Sequence, residues 1–156
     1  MNGDALTIRP ERPDQPDVMR LIEALDAYAN ALYPPQSNHL LDIASLCAPA
    51  VTFLVVRDGA EAVGCGAVLR DARGWGEVKR MYLRPDQRGR GLGRRVLADL
   101  EGVARGAGLP LLRLETGIHN TEALALYRRA GFVECSPFGD YAADPLSVFM
   151  EKRVDL

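Results

Sequence analysis

The 156-residue chain is poor in the residues that staple or metallate small proteins. It has three cysteines, Cys47, Cys65 and Cys135. The number is odd, no C-x-x-C occurs, and the spacing fits neither a disulfide framework nor a zinc site. The cysteines therefore read as reduced, mostly buried small apolar side chains. Only two histidines, His39 and His119, are present, which excludes a histidine-rich metal cluster. No apolar run approaches the roughly 20 residues that span a bilayer. The start, Met1-Asn2-Gly3-Asp4, lacks a basic segment followed by an apolar core, so no secretory signal is expected and the expected location is cytoplasmic. Repeats and low-complexity segments are also missing. What remains is ordinary globular composition, 47% hydrophobic and 26% charged, at a length that suits one domain over residues 1–156. A chain of this size buries roughly two-thirds of its unfolded surface without any staple.

Lysine is scarce as well. Of 19 basic residues only Lys79 and Lys152 are lysines. The net charge of −2 argues against a general nucleic-acid binder. The charge is unevenly spread, however. Seven basic residues and one acid, Asp86, lie between Lys79 and Arg95, so this stretch carries +6. The rest of the chain holds twelve basic and twenty acidic groups, or −8. A basic island in an acidic chain suits a small anionic ligand better than a long polyanion.

Periodicity predicts the order β-α-α-β-β-β-α-β-α-β-β. A short strand covers Leu6 to Arg9. A helix covers Asp14 to Leu32, with Val18, Leu21, Ile22, Leu25 and Ala29 on one face and Asp14 as its cap. A short second helix spans His39 to Leu46. Three strands follow, Val51 to Arg57, Ala62 to Leu69 and Glu77 to Leu83, joined by turn signals at Asp58-Gly59 and Asp71 to Gly76 as an antiparallel meander. Gly91 to Gly106 is a strongly amphipathic helix. Then come a strand Leu111 to Glu115, a helix Asn120 to Ala130, and strands Phe132 to Cys135 and Ser147 to Glu151. The class is a mixed α/β sheet with helices on its faces.

The chemistry-bearing segment is Arg88-Gly89-Arg90-Gly91-Leu92-Gly93, between a strand and the strong helix. The first N–H groups of a helix lack internal partners and, with the helix dipole, attract anions. Glycines let those amides approach a phosphate, and arginine forks add charge-assisted hydrogen bonds. A P-loop is excluded, because Gly93 is followed by Arg94-Arg95 instead of Lys-Ser/Thr. The G-x-G-x-G spacing and the antiparallel meander before it argue against a dinucleotide fingerprint.

Arg88-x-x-Gly91-x-Gly93, after Glu77-Val78-Lys79-Arg80-Met81-Tyr82-Leu83, resembles the acyl-CoA signature of the GNAT superfamily of acetyl-CoA-dependent N-acetyltransferases. A second motif, Asn120-x-x-Ala123-x-x-Leu126-Tyr127-x-x-x-Gly131-Phe132, stands at the family's distance. Together with the element order, the two motifs carry the resemblance over about Val51 to Lys152. It implies a mixed, mostly antiparallel sheet, splayed at the fourth strand and flanked by about four helices. It also implies acetyl-CoA as co-substrate, with no metal. Met81, Tyr82 and Leu83 would offer their main chain to the pantetheine arm, as in strand addition by a ligand. Arg88, Gly89, Arg90, Gly91, Leu92, Gly93 and Arg94 would hold the pyrophosphate, and Asn120 the cofactor arm. Tyr127 stands where a phenol reaches the thioester sulfur.

The chemistry so implied is attack of an amine on a thioester carbonyl. Tyr127 is the candidate acid for the departing thiolate, and Glu77, at the start of the splayed strand, the candidate base. Glu115, through a water, and His39 are alternatives, and some family members use no dedicated base. Period-two alternation would put Glu77, Lys79 and Met81 on one face of the strand and Val78, Arg80 and Tyr82 on the other. An inward Arg80 or Arg113 would suit an acceptor with a carboxylate. The expected acceptor is a small-molecule amine or amino acid, with no nucleic-acid or membrane partner; a homodimer fits the family. A protein lysine or N-terminus, or acyl-CoA binding without catalysis, are the other readings.

Overall fold

The computed structural model describes residues 5–38 and 41–155. The order of elements is β1 (Leu6–Pro10), α1 (Pro16–Leu32), α2 (Ile43–Leu46), β2 (Val51–Asp58), β3 (Glu61–Arg70), β4 (Gly76–Leu83), α3 (Leu92–Gly106), β5 (Leu111–Gly117), α4 (Thr121–Arg129), β6 (Val133–Glu134) and β7 (Ser147–Arg153). This is the order that periodicity predicts. Short 3₁₀ turns at Pro35–Ser37 and Pro85–Gln87 add to it. The strands form one seven-stranded sheet in the order β1-β2-β3-β4-β5-β7-β6. All neighbours are antiparallel except β4 and β5, which α3 connects in parallel.

Hydrophobic side chains fill both faces of the sheet. On one face α3 and α4 contribute Val96, Leu97, Leu100, Ala104, Leu124 and Tyr127, packed on Val68, Val78, Leu112, Leu114 and Met150. On the other, Val18, Leu21 and Ile22 of α1 and Leu46 of α2 cover Phe53, Val55, Cys65 and Ala67. The apolar spacing in α1 and α3 thus turns each helix stripe onto the sheet, at about 1.5–3 kcal/mol for each fully buried side chain. Gly66 permits the close approach of α3, since a Cβ there would lie 3.1 Å from Val96 and 3.3 Å from Leu100.

Several boundaries differ from expectation. Asp14 does not cap α1: Gln15 holds that position, without a side-chain capping bond, and Asp14 instead pairs with Arg12 at 2.8 Å. The second helix begins at Ile43, because the Asp42 side chain accepts from Ser45 N and caps it there. The strand expected over Phe132 to Cys135 shrinks to Val133–Glu134, because Phe132 is drawn into the core beneath Tyr127.

Leu100 is fully buried at the centre of the α3 interface. Leu100→Ala is expected to cost about 2–5 kcal/mol of stability by denaturant unfolding; a loss below about 1 kcal/mol would contradict this packing.

Candidate active site

The site begins where two strands part. β4 and β5 pair only at Gly76↔Leu112 and Glu77↔Arg113. Beyond Glu77, β4 continues to Leu83 along β3, while β5 continues to Gly117 along β7. The facing edges of 78–83 and 114–117 are therefore not laddered to each other. An unladdered edge of N–H and C=O groups is a template for an extended ligand.

A bulge on β4 shapes this opening. Cys65 pairs with Tyr82 and Ala67 with Lys79, so Gly66 faces the two residues Arg80 and Met81. Arg80 has φ +56°, a left-handed conformation that costs a non-glycine residue about 1–2 kcal/mol. The bulge overturns the expected alternation. Met81 joins Val78 and Leu83 on the α3/α4 face, while Tyr82 packs towards α1. Arg80 also turns to α1, where it pairs with Asp26. Glu77 and Met81 consequently lie on opposite faces.

Tyr127 of α4 meets Met81 across the parting strands, with the phenol oxygen 3.9 Å from Sδ. Its ring is edge-on to Phe132 at 5.8 Å. Burial, with the Glu115 carboxylate nearby, pushes the phenol up to about 12, so it stays protonated at neutral pH.

Glu77 is buried, and its Oε2 accepts from the Tyr141 hydroxyl and lies 3.0 Å from Lys79 Nζ. Lys79 also donates to the Tyr141 oxygen. Burial, and then the Glu77 carboxylate, raise the Tyr141 phenol well above its ordinary value. Glu115 lies half-buried on β5 and accepts from Ser147 Oγ at 2.7 Å. His39 lies outside the described residues. Neither arginine considered for a carboxylate stands ready for one. Arg80 turns inward but is engaged by Asp26 and the Leu41 carbonyl. Arg113 stacks on Trp75 and Phe138 and lies 3.5 Å from Glu151.

The glycine segment forms the turn into α3. Gly89 (φ +79°) and Gly91 (φ +74°, the N-cap) are both left-handed with open space beside them. No Cβ screens the first amides of α3, and Arg90 and Arg94 are exposed around them. These residues suit a pyrophosphate. The first two residues of α3 serve packing. Leu92 is buried in the core, and a Cβ at Gly93 would come 3.0 Å from Leu126, so Gly93 lets α4 approach α3. Arg88 donates to the Leu83 carbonyl at 3.1 and 3.2 Å and lies over the Tyr82 ring.

Asn120 caps α4 by position, and its side chain is held by protein groups. It accepts from Tyr33 OH at 3.2 Å and donates to Thr116 Oγ1 at 3.1 Å. Tyr33 also accepts from His119 N at 3.1 Å. A Cβ on Gly117 would stand 1.9 Å from the Tyr33 hydroxyl. Sequence patterns gave no sign of the Tyr33–Asn120 or Tyr141–Glu77 links, since each joins residues far apart in the chain.

The model of the Acetyltransferase (GNAT) family matches residues 18–132. The chain is 51% identical over 148 residues to an IAA acetyltransferase of Azospirillum brasilense, covering 94% of this chain and 97% of that one. A Klebsiella pneumoniae structure assigned as an acyl-CoA N-acyltransferase superposes with TM-score 0.82 at 42% identity, covering 96% and 98%. YncA of Salmonella typhimurium, solved with acetyl-CoA, shares the fold with TM-score 0.74 at 20% identity, covering 97% and 95%. The chain belongs to the GNAT acetyltransferase family. It is an N-acetyltransferase, and the family supports acetyl-CoA as its acyl donor. Among the described residues no helix is long and apolar enough to cross a membrane.

Gly117→Ala is expected to destabilise the fold by about 1–3 kcal/mol through overpacking. Tyr33→Ala should restore part of that loss in the double variant, and additive losses in a thermal-unfolding cycle would refute the contact.

Proposed function

We propose that this chain transfers the acetyl group of acetyl-CoA to the primary amine of a small molecule or amino acid by direct attack on the thioester. The observation that carries the reading is the parting of β4 from β5 after Glu77, with Tyr127 meeting Met81 across it and the glycine turn at its end. Met81, Tyr82 and Leu83 would pair with the pantetheine arm. The turn from Arg88 to Arg94 would hold the pyrophosphate, chiefly through main chain at Gly89 and Gly91. Asn120 would act near that arm by fixing the start of α4.

Glu77 would take the proton of the acceptor ammonium, oriented by Tyr141 and Lys79. The freed amine attacks the thioester carbonyl, and the C–N bond forms. Main-chain N–H groups of β4 would receive the charge that develops on the carbonyl oxygen. As the C–S bond breaks, Tyr127 would donate its proton to the departing thiolate, the nitrogen would release its second proton to solvent, and solvent would restore the Tyr127 phenol.

A small acceptor is favoured by a bond that bridges the cleft loops. Ser37 Oγ, in the loop after α1, donates to Asp144 of the β6–β7 loop at 2.6 Å. Such bridging suits a small acceptor better than an extended peptide. The name of the Azospirillum relative adds IAA to the compounds worth testing. A thiol-release screen over amino acids, polyamines, aminoglycosides, IAA and basic peptides tests this reading. Turnover confined to peptides would overturn it.

Gly91→Val, at a left-handed position facing open space, is expected to weaken acetyl-CoA binding at least tenfold by calorimetry, and unchanged affinity would sink the pyrophosphate assignment. Tyr127→Phe should lower kcat about 10–100-fold with little change in KM for acetyl-CoA; equal kinetics would remove the acid role. Glu77→Gln should flatten the rise of rate with pH, while an unaltered profile would pass the role to Glu115, His39 or no base.

A further inference from the structure

Arg80 is the one non-glycine residue of positive φ among the described residues. It sits on β4 between the last β4–β5 pair, at Glu77, and Met81, which meets Tyr127. Its side chain is almost wholly buried, at 3% exposure. Three hydrogen bonds hold it. One Nη donates to Asp26 of α1, while Nε and the other Nη donate to the Leu41 carbonyl at 3.1 and 2.8 Å. Its own carbonyl accepts from Cys65 Sγ at 3.2 Å. The residue is therefore tied at both its fork and its backbone, to α1, to the segment before α2, and to β3.

These ties bear on the reaction because of where the bulge falls. A regular strand would place Met81 on the face of Glu77, away from α4. The extra residue at Arg80 returns Met81 to the α4 face, where its sulfur meets the Tyr127 phenol. A conformation unfavourable for arginine persists only when the surroundings over-determine it. A planar guanidinium with two fixed partners supplies that determination, and a flexible ammonium would not.

We propose that Arg80 is a positioning residue for acetyl transfer: its side chain, clamped by Asp26 and the Leu41 carbonyl, holds the left-handed bulge that presents the β4 main chain and Met81 to the thioester. The inference rests on the proposed use of the β4 main chain in the reaction.

Two variants separate the clamp from the strain. Arg80→Gly keeps a residue at ease with positive φ and deletes the fork. Asp26→Asn leaves β4 untouched and weakens one partner. Three readouts are taken on each: hydrogen exchange of the Met81 and Tyr82 amides, calorimetric binding of CoA, and kcat at saturating acetyl-CoA. Both variants are expected to bind CoA within about threefold of the parent, to exchange faster at Met81 and Tyr82, and to lose about 10–100-fold in kcat. Parental exchange with kcat within about twofold overturns the clamp and leaves the use of β4 standing. Faster exchange at parental kcat overturns the use of the β4 main chain, and the inference with it. A fall in kcat matched by an equal fall in CoA binding overturns the positioning role in favour of a merely structural one.

Discussion

The structure depends on a hydrogen-bond ladder that stops. β4 and β5 share only two register pairs, at Gly76 and Glu77, before their courses separate. A parting sheet leaves polar backbone without ladder partners, and such groups must find water or a ligand. The rest of the fold makes the parting affordable. β3 keeps its pairing with β4 to Leu83, β7 keeps its pairing with β5 to Gly117, and α3 and α4 fill one side beneath with Val96, Leu97, Leu124 and Tyr127. The opening is thus framed by two intact ladders and a packed core, which makes it a preformed slot.

The basic island acquires a different meaning in three dimensions. Lys79 is bound to Glu77 and Tyr141, Arg80 to Asp26, and Arg84 to Asp86 and Glu61. Those three cations are balanced by carboxylates, three of which, Glu77, Asp26 and Glu61, lie outside the 79–95 stretch. Arg88, Arg90, Arg94 and Arg95 remain exposed around the turn into α3. Only this later half of the island is placed to rim the proposed pyrophosphate site. The earlier half is internal scaffolding for β4, and a linear count of charge cannot separate the two.

Element order, both core faces and the glycine turn were legible in the sequence because each rests on local signals. The stripe Val96, Leu97, Leu100 and Ala104 has helical spacing, and Gly89 and Gly91 stand where positive φ is needed. The parting of β4 from β5 was reached through motif resemblance alone, since hydrophobic pattern says nothing about which strand pairs end early. The bulge at Arg80 was illegible for a physical reason. It is set by Asp26, 54 residues away, and by Cys65, and it shifts every later side chain on β4 to the other face. Period-two reading fails wherever a strand carries an extra residue, so Met81 was assigned to the wrong face.

The bulge and the two tyrosines share a logic. Tyr127 lies on the α4 face with Met81, and Tyr141 on the opposite face with Glu77 and Lys79. A strand with strict alternation would have carried Glu77 and Met81 on one side, and Tyr127 would have lost its contact with Met81. With one residue inserted, the two groups are separated by the strand itself. Burial holds Tyr127 protonated on one side, and Glu77 sits among a cation and a hydroxyl on the other. The proposed roles of Glu77 as base and Tyr127 as acid call for two such sites apart and in different surroundings. In this chain, one left-handed arginine on β4 decides that Met81 faces Tyr127 while Glu77 faces Tyr141.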